Sequence, residues 1–332
     1  MSALAHVAVH SSQFPENVRR DLLQCLRARR IDPKFHYLTY DQSRKWLALH
    51  ETWSPSRIDA DCAAQYERSF AAAARALPAG RARLIGLGCG GGQKEARLLA
   101  SLTGQGRELS YAPCDISLAL VLTAAQAAQA AAPGIPCHPL VCDLAGAGDL
   151  PQALACQEDA AAVRLITFFG MLPNFEPELI LPRLAALLRP GDLLLLSANL
   201  APGPDYAAGA RRVLAGYDNP QTRDWLLTFL RDLGVAPDDG PLQFSVEDSP
   251  AGVKRIVADF RFDKLRILEV CGERFEFRKE DSVRLFFSCR YTPALVGSLL
   301  SAHHLPMLGQ WITASGEEGV FLCGQPEAAG KS

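Results

Sequence analysis

The chain lacks any uninterrupted apolar run of the roughly 18 residues that a bilayer span requires, so no membrane partner is expected. Its first residues, Met1 to Pro15, hold no basic segment followed by an apolar core, which argues against a secretory leader and for a soluble, cytoplasmic protein. It lacks an excess of either charge. Lys and Arg number 34 against 36 Asp and Glu, and the pI is about 6.4, so nucleic acid is not the expected partner. The one short basic piece, Arg27, Arg29 and Arg30, reads as a solvated helix end. None of the ten cysteines forms Cys-x-x-Cys, and Cys25, Cys114, Cys142, Cys289 and Cys323 sit in apolar segments as buried reduced thiols would. Neither His303 nor His304 has a partner at zinc spacing, so no metal is expected. No internal repeat is visible.

What is present is ordinary globular composition and an alternating middle. Residues 1–80 look helical with breaks: Asn17–Arg30, Gln42–His50 and Ala60–Leu77. Residues 82–200 alternate short apolar strands with helices. The strands are Ala82–Cys89, Leu109–Cys114, Cys137–Cys142, Val163–Phe169 and Leu193–Leu200; the helices are Lys94–Leu102, Leu118–Ala131 and Glu178–Leu188. Continuous apolar strands of this kind belong to a parallel sheet covered on both faces. Residues 201–290 break the rhythm. Two helices, Tyr206–Gly216 and Thr222–Leu233, precede the strands Leu242–Val246, Val253–Phe262, Leu265–Val270 and Arg274–Phe277, with a hairpin turn at Cys271-Gly-Glu273. A helix, Pro293–His303, and a final hairpin, Met307–Thr313 with Gly319–Cys323, complete the chain, and the tail after Gly324 is expected to be disordered. The expected architecture is an α/β, Rossmann-like doubly wound sheet (81–200 and 291–325), an N-terminal helical cap region (1–80) and an inserted α+β substrate domain (201–290).

The richest stretch is Leu84-Ile-Gly86-Leu-Gly88-Cys-Gly90-Gly-Gly92-Gln93, a strand that runs through glycines into a helix. Glycines allow a tight turn and close approach of a ligand, and the helix N-terminus favours its anionic or polar part. Two cofactors remain open at this point. Gly86-x-Gly88-x-x-Gly91 matches the dinucleotide fingerprint, and Gly88-x-Gly90-x-Gly92 the looser pattern of methyltransferases that use S-adenosyl-L-methionine. Asp115 closes the second strand, where a carboxylate can accept ribose hydroxyls under either reading. Asp143 closes the third, where it can take the adenine amino group while Leu144 lies beside the ring, a placement that favours the methyltransferase. Either aspartate could instead cap a helix. The first strand ends in Gly86, where many methyltransferases carry an acid that contacts the methionine amino group.

Over about residues 15–323 the chain resembles the histidine-specific Nα-methyltransferases of ergothioneine biosynthesis and their relatives that methylate tryptophan derivatives. The resemblance rests on Pro33-Lys-Phe-His-Tyr37, Trp53-Ser-Pro-Ser-Arg57, Gly88-Cys-Gly-Gly-Gly-Gln-Lys94, Phe169-Gly-Met-Leu-Pro-Asn174, Leu188-Arg-Pro-Gly-Asp192, Gly216-Tyr217-Asp218-Asn219 and Ser288-Cys-Arg-Tyr291. It implies S-adenosyl-L-methionine held by Gly86, Gly88, Gly90, Lys94, Asp115, Asp143 and Leu144. It also implies an amino acid held through its amino and carboxylate groups by Asn174 and Tyr217, with Tyr37 and Trp53 at the pocket mouth and Ser288 near the substrate side chain.

One departure bears on the substrate. Two residues before Ser288 the family carries a glutamate that grips the imidazole; this chain has Phe286. A phenyl ring accepts no N–H hydrogen bond, and an unpaired polar atom costs roughly 1–3 kcal/mol. The expected reaction is therefore methyl transfer to the amine of a small molecule, an amino acid or related amine other than histidine. Arg57, Arg284 and Arg290 are candidates for gripping a carboxylate, with surface ion pairing as the alternative. A nicotinamide-dependent oxidoreductase and a catalytically degenerate cofactor-binding subunit are the competing readings.

Overall fold

A computed structural model describes residues 5–155, 162–249 and 252–324. The chain begins with a two-residue strand, β1 (Ala8–Val9), and helix α1 (Pro15–Ala28), whose first residue is a proline suited to a helix start. A turn at Pro33–His36 leads to α2 (Tyr40–Trp53), started by a capping box in which Thr39 and Gln42 exchange side-chain and backbone bonds. Then come α3 (Pro55–Ile58) and α4 (Ala60–Ala76), which Asp59 caps.

The alternating region gives β2 (Ala82–Leu87), α5 (Gln93–Thr103), β3 (Leu109–Asp115), α6 (Leu118–Ala131), β4 (Leu140–Val141), α7 (Leu150–Ala155), β5 (Val163–Phe168), α8 (Pro177–Leu187) and β6 (Leu193–Asn199). Next are α9 (Tyr206–Arg212) and α10 (Pro220–Asp232), then β7 (Leu242–Asp248), β8 (Lys254–Arg261), β9 (Arg266–Val270), β10 (Glu273–Phe277) and β11 (Ser282–Arg290). Last are α11 (Pro293–Ala302), β12 (Met307–Ile312) and β13 (Glu318–Gly324). The tail after Gly324 lies outside the described residues.

Eight strands form one sheet in the order β1-β4-β3-β2-β5-β6-β13-β12. The pairs from β1 to β6 are parallel and β13 runs antiparallel to β6. The order reverses beside β2, the switch point at which open α/β sheets bind ligands. Helix α4 buries Cys62, Tyr66, Phe70, Ala73 and Ala74 against one face of this sheet. A three-stranded antiparallel sheet, β11-β8-β7, and the β9–β10 hairpin stand outside it. The hairpin turn holds Cys271 and Gly272 at φ of 54° and 82°, the pair of positive angles its tight connection needs. Leu23 and Leu26 of α1 and Phe35 join Trp225, Phe229 and Phe260 in a core between the N-terminal segment and this second sheet.

Several elements depart from the sequence expectation. Strand β11 was not foreseen, because a bulge between Arg284 and Phe286 interrupts its alternation. Val283 below the bulge and Leu285 at it enter the core shared with Trp225. Above it Phe286 does so, while Phe287 and Cys289 turn to the main core. The expected strand Cys137–Cys142 is reduced to Leu140–Val141 with an isolated bridge from Cys137 to Tyr111. The expected helix Tyr206–Gly216 tightens into a 3-10 turn from Val213. The basic piece after α1 is spent on surface carboxylates: Arg27 on Glu273, Arg29 on Asp281 and Arg30 on Glu176.

Candidate active site

The turn after β2 opens a cavity of about 450 Å³ at the carboxyl ends of β2, β3, β4 and β5. Its far wall is the N-terminal segment, through Lys34, Tyr37, Trp46 and His50. Gly90 sits at φ 52°, and a Cβ there would stand 2.6 Å from the Trp46 ring, so both its conformation and its neighbour require glycine.

Asp115 is buried at the end of β3. It accepts the Gly90 N–H at 3.0 Å and the Ser117 N–H at 3.1 Å, while Ser117 itself caps α6. The aspartate thus pins the glycine turn and leaves the helix cap to serine. Burial pushes its carboxyl up to about 6, against the pull of those N–H donors. Asp143, beyond β4, accepts the Ala145 N–H at 2.9 Å and the Lys34 ammonium at 2.6 Å. The same ammonium holds Asp21 at 2.6 Å. Burial pulls Lys34 down, but Asp143 and Asp21 outweigh it and hold the lysine above its ordinary value.

The remaining walls are aromatic. Tyr37 packs against Trp46 and Trp225 with ring centroids 5.7 and 5.4 Å apart, and burial raises its phenol well above the usual range. Trp46 stacks on His50, which burial pulls down to about 3, with Lys94 and Arg57 adding to the shift, so the imidazole is neutral. The Lys94 ammonium lies 4.7 Å from the Tyr66 ring centre and 5.9 Å from that of Phe169.

Gly88, Gly90, Lys94, Asp115, Asp143, Leu144, Tyr37 and Asn174 all line this cavity. Gly86 does not. It lies within β2, paired to Pro113 and Thr167 on either side. Trp53 is 47% exposed and donates its indole N–H to Gln221, away from the cavity. Tyr217, Phe286 and Ser288 meet one another in a separate group. The Tyr217 hydroxyl receives Arg290 Nη2 at 2.6 Å and Asn199 Nδ2 at 3.1 Å, and lies 3.0 Å from Ser288 Oγ. With both its lone pairs taken, the phenol donates its own proton to Ser288. Phe286 packs on Tyr217 and Trp225.

Of the three arginines, Arg284 is held by Asp259 and Glu247, and Arg57 lies 3.9 Å from Glu51. Arg290 is 7% exposed, donates to the Leu200 carbonyl and Tyr217, has no partner at Nε, and has no carboxylate within ion-pair distance among the described residues. Sequence reasoning did not single out Glu95, Trp46 or Lys34. Glu95 carried a signal: at helical spacing it shares a face with Leu98, Leu99 and Leu102, a carboxylate on an otherwise apolar stripe.

The hollow fits a nucleoside of the adenosine type. Gly90 leaves room at the turn, Leu120, Leu144 and Phe169 supply apolar wall, and Asp115 and Asp143 stand at successive strand ends with lone pairs to spare. The sequence matches the family model described as "Histidine-specific methyltransferase, SAM-dependent" over residues 18–325. It is 27% identical over 324 residues to the histidine N-alpha-methyltransferase of Mycobacterium tuberculosis (strain CDC 1551 / Oshkosh), spanning 92% of this chain and 94% of that protein. Similar solved structures include magnesium protoporphyrin IX methyltransferase (ChlM) from Synechocystis PCC 6803 with bound SAH, at 14% identity, 86% and 94% coverage and a TM-score of 0.42. The CcbJ methyltransferase from Streptomyces caelestis is another, at 15% identity, 79% and 89% coverage and a TM-score of 0.39. By the family match the cofactor is S-adenosylmethionine and not a nicotinamide dinucleotide, and the chain belongs to the SAM-dependent histidine-specific methyltransferase family.

Proposed function

We propose that this methyltransferase acts on the amine of a small carboxylate-bearing molecule, an amino acid or close relative other than histidine. The observation that carries the reading is one face of β11, where Phe286, Ser288 and Arg290 follow at alternate positions beyond the bulge. Phe286 offers an apolar surface where an imidazole would need an acceptor. Arg290 is a buried guanidinium without a counter-charge among the described residues, and buried charges are costly unless paired. A substrate carboxylate would supply the missing partner in the planar, two-pronged geometry that arginine favours.

Within this reading Asp115 would accept the ribose hydroxyls and Asp143 the adenine amino group, with Leu144 beside the ring. Gly88 and Gly90 would allow close approach, and Lys94, resting on two aromatic rings, would be free to take the cofactor carboxylate. Asn174 and Tyr217 would orient the substrate amine and carboxylate, with Tyr37 in the wall between. When bound, S-adenosylmethionine supplies a sulfonium methyl to an amine, whose lone pair forms the new C–N bond as the methyl–sulfur bond breaks. The protein needs no covalent nucleophile for this; it aligns the amine and keeps water out.

A screen of amino acids, their carboxamides and simple amines with labelled S-adenosylmethionine tests the proposal. Transfer to aromatic or apolar amino acids and not to their carboxamides is the expected result. Histidine as the preferred acceptor, or transfer indifferent to the carboxylate, overturns it. Cofactor binding with no transfer across the panel would instead support a degenerate subunit.

A further inference from the structure

Gly86 leaves a gap at the end of β2 that another part of the chain fills. A Cβ at Gly86 would meet the Tyr111 hydroxyl at 3.1 Å and Cys89 Cβ and Glu95 Cγ at 3.3 Å. Its φ is not in the left-handed region, so what the position needs from glycine is room. Glu95 uses that room. From the first turn of α5 its stem crosses towards β2, and the residue, 3% exposed, lines the cavity. Its Oε1 accepts the Thr167 hydroxyl at 3.0 Å, and no cation pairs with it among the described residues. Burial raises the carboxyl to about 7. The Tyr111 hydroxyl, buried in the same gap, has no hydrogen-bond partner among the described residues.

Beside it, Lys94 has the opposite deficiency. Its ammonium rests over the Tyr66 and Phe169 rings with no described carboxylate within ion-pair distance. Two consecutive residues at one edge of the cavity thus present an anion without a cation and a cation without an anion. A zwitterion completes both, and the amino-acid end of S-adenosylmethionine is one.

We propose that Glu95 is the receptor for the cofactor's α-ammonium group, so that a carboxylate absent from position 86 is delivered to the same gap from helix α5. The proposal concerns the family's cofactor and does not depend on which amine is methylated. The groups facing the Glu95 carboxylate are Lys94 on its own helix, Thr167 on β5, Tyr111 and Asp115 on β3, and Cys89 in the turn.

Calorimetric titration with two ligands tests it. S-adenosylhomocysteine carries the ammonium, and 5′-methylthioadenosine is the same nucleoside without the amino-acid end. Glu95→Gln, which keeps size and the Thr167 bond, is expected to weaken S-adenosylhomocysteine by about tenfold or more, the scale of a lost charge-assisted hydrogen bond, and to leave methylthioadenosine unchanged. Gly86→Asp combined with Glu95→Ala, which moves the acid back to β2, is expected to recover most of that loss. In the native protein, affinity for S-adenosylhomocysteine should show a rise with pH through about 7 as Glu95 ionises, a step absent for methylthioadenosine, whose profile holds only the lower step near 6 expected of Asp115. Parallel loss of both ligands in Glu95→Gln would show a structural role and overturn the proposal, as would unchanged S-adenosylhomocysteine binding.

Discussion

At the rim of the eight-stranded sheet, Asp115 is met by two backbone N–H groups, and Asp143 by one N–H and the Lys34 ammonium. On β11 the two arginines divide: Arg284 is clasped by Asp259 at 2.7 Å and Glu247 at 2.6 Å, whereas Arg290 meets a carbonyl, the Tyr217 hydroxyl and the Tyr217 ring, and no carboxylate among the described residues. The contrast separates charges that build the molecule from charges that await something. A charge whose complement is within the chain holds a turn or a sheet together. A buried charge whose complement is missing costs stability, and a ligand that brings the complement recovers that cost on binding. Arg290 and Glu95 are buried without such a complement among the described residues, and the half-buried Lys94 also lacks one.

The largest effect that would sharpen this contrast comes from placing a carboxylate on the β11 face that carries Arg290. Phe286→Glu removes a phenyl packed on Tyr217 and Trp225 and buries a carboxylate, and should cost about 3–5 kcal/mol of unfolding free energy in a denaturant titration. The surviving folded protein should gain histidine as an acceptor; transfer to histidine no better than in the native chain counts against the assigned role of position 286. Next, Asp115→Ala should weaken S-adenosylhomocysteine by roughly 10- to 100-fold in calorimetry, because an acceptor is lost at the glycine turn and, on the proposed reading, at the ribose. Unchanged affinity would remove Asp115 from the binding account.

The two arginines can be tested against each other. Arg290→Met should raise KM for a carboxylate-bearing acceptor by about tenfold while leaving Tm unchanged or higher, since it removes an uncompensated buried charge. Arg284→Met should do the reverse, lowering stability by about 1 kcal/mol with little effect on KM, as expected for a partly exposed network. Identical behaviour of the pair would erase the distinction. The smallest effect is in pH. Burial raises the Asp115 carboxyl to about 6, so its ionised form costs stability above that pH and the cost is relieved below it. Ribose hydroxyls need the ionised form. Methylthioadenosine affinity should therefore decline as pH falls through about 6, and a flat profile would place the ribose elsewhere.

Much of the cavity beside the glycine turn is legible in the sequence because its signals are local. Apolar runs ending in Asp115 and Asp143 and a glycine-rich turn between a strand and a helix carry their geometry in a few neighbouring residues. Eight of the thirteen residues named as candidate contacts line one cavity, while Gly86, Trp53, Tyr217, Phe286 and Ser288 do not. Gly86 fits the glycine spacing of its neighbours, but it lies inside a strand and contributes space. The β11 face was hidden by its bulge, which breaks the alternation that betrays a strand. The Lys34–Asp143 pair joins residues far apart in the chain, and nothing in either segment announces the other.

The alternation of strands and helices over 82–200, the glycine turn and the acids after the second and third strands of that region followed from the sequence alone, since each depends on periodicity and chemistry within a short window. Which charges are matched and which are left waiting was decided only by tertiary structure. Compensation is a property of distance, and the distances from Arg290, Glu95 and Lys94 to every other charge exist only once the separate segments have folded against one another.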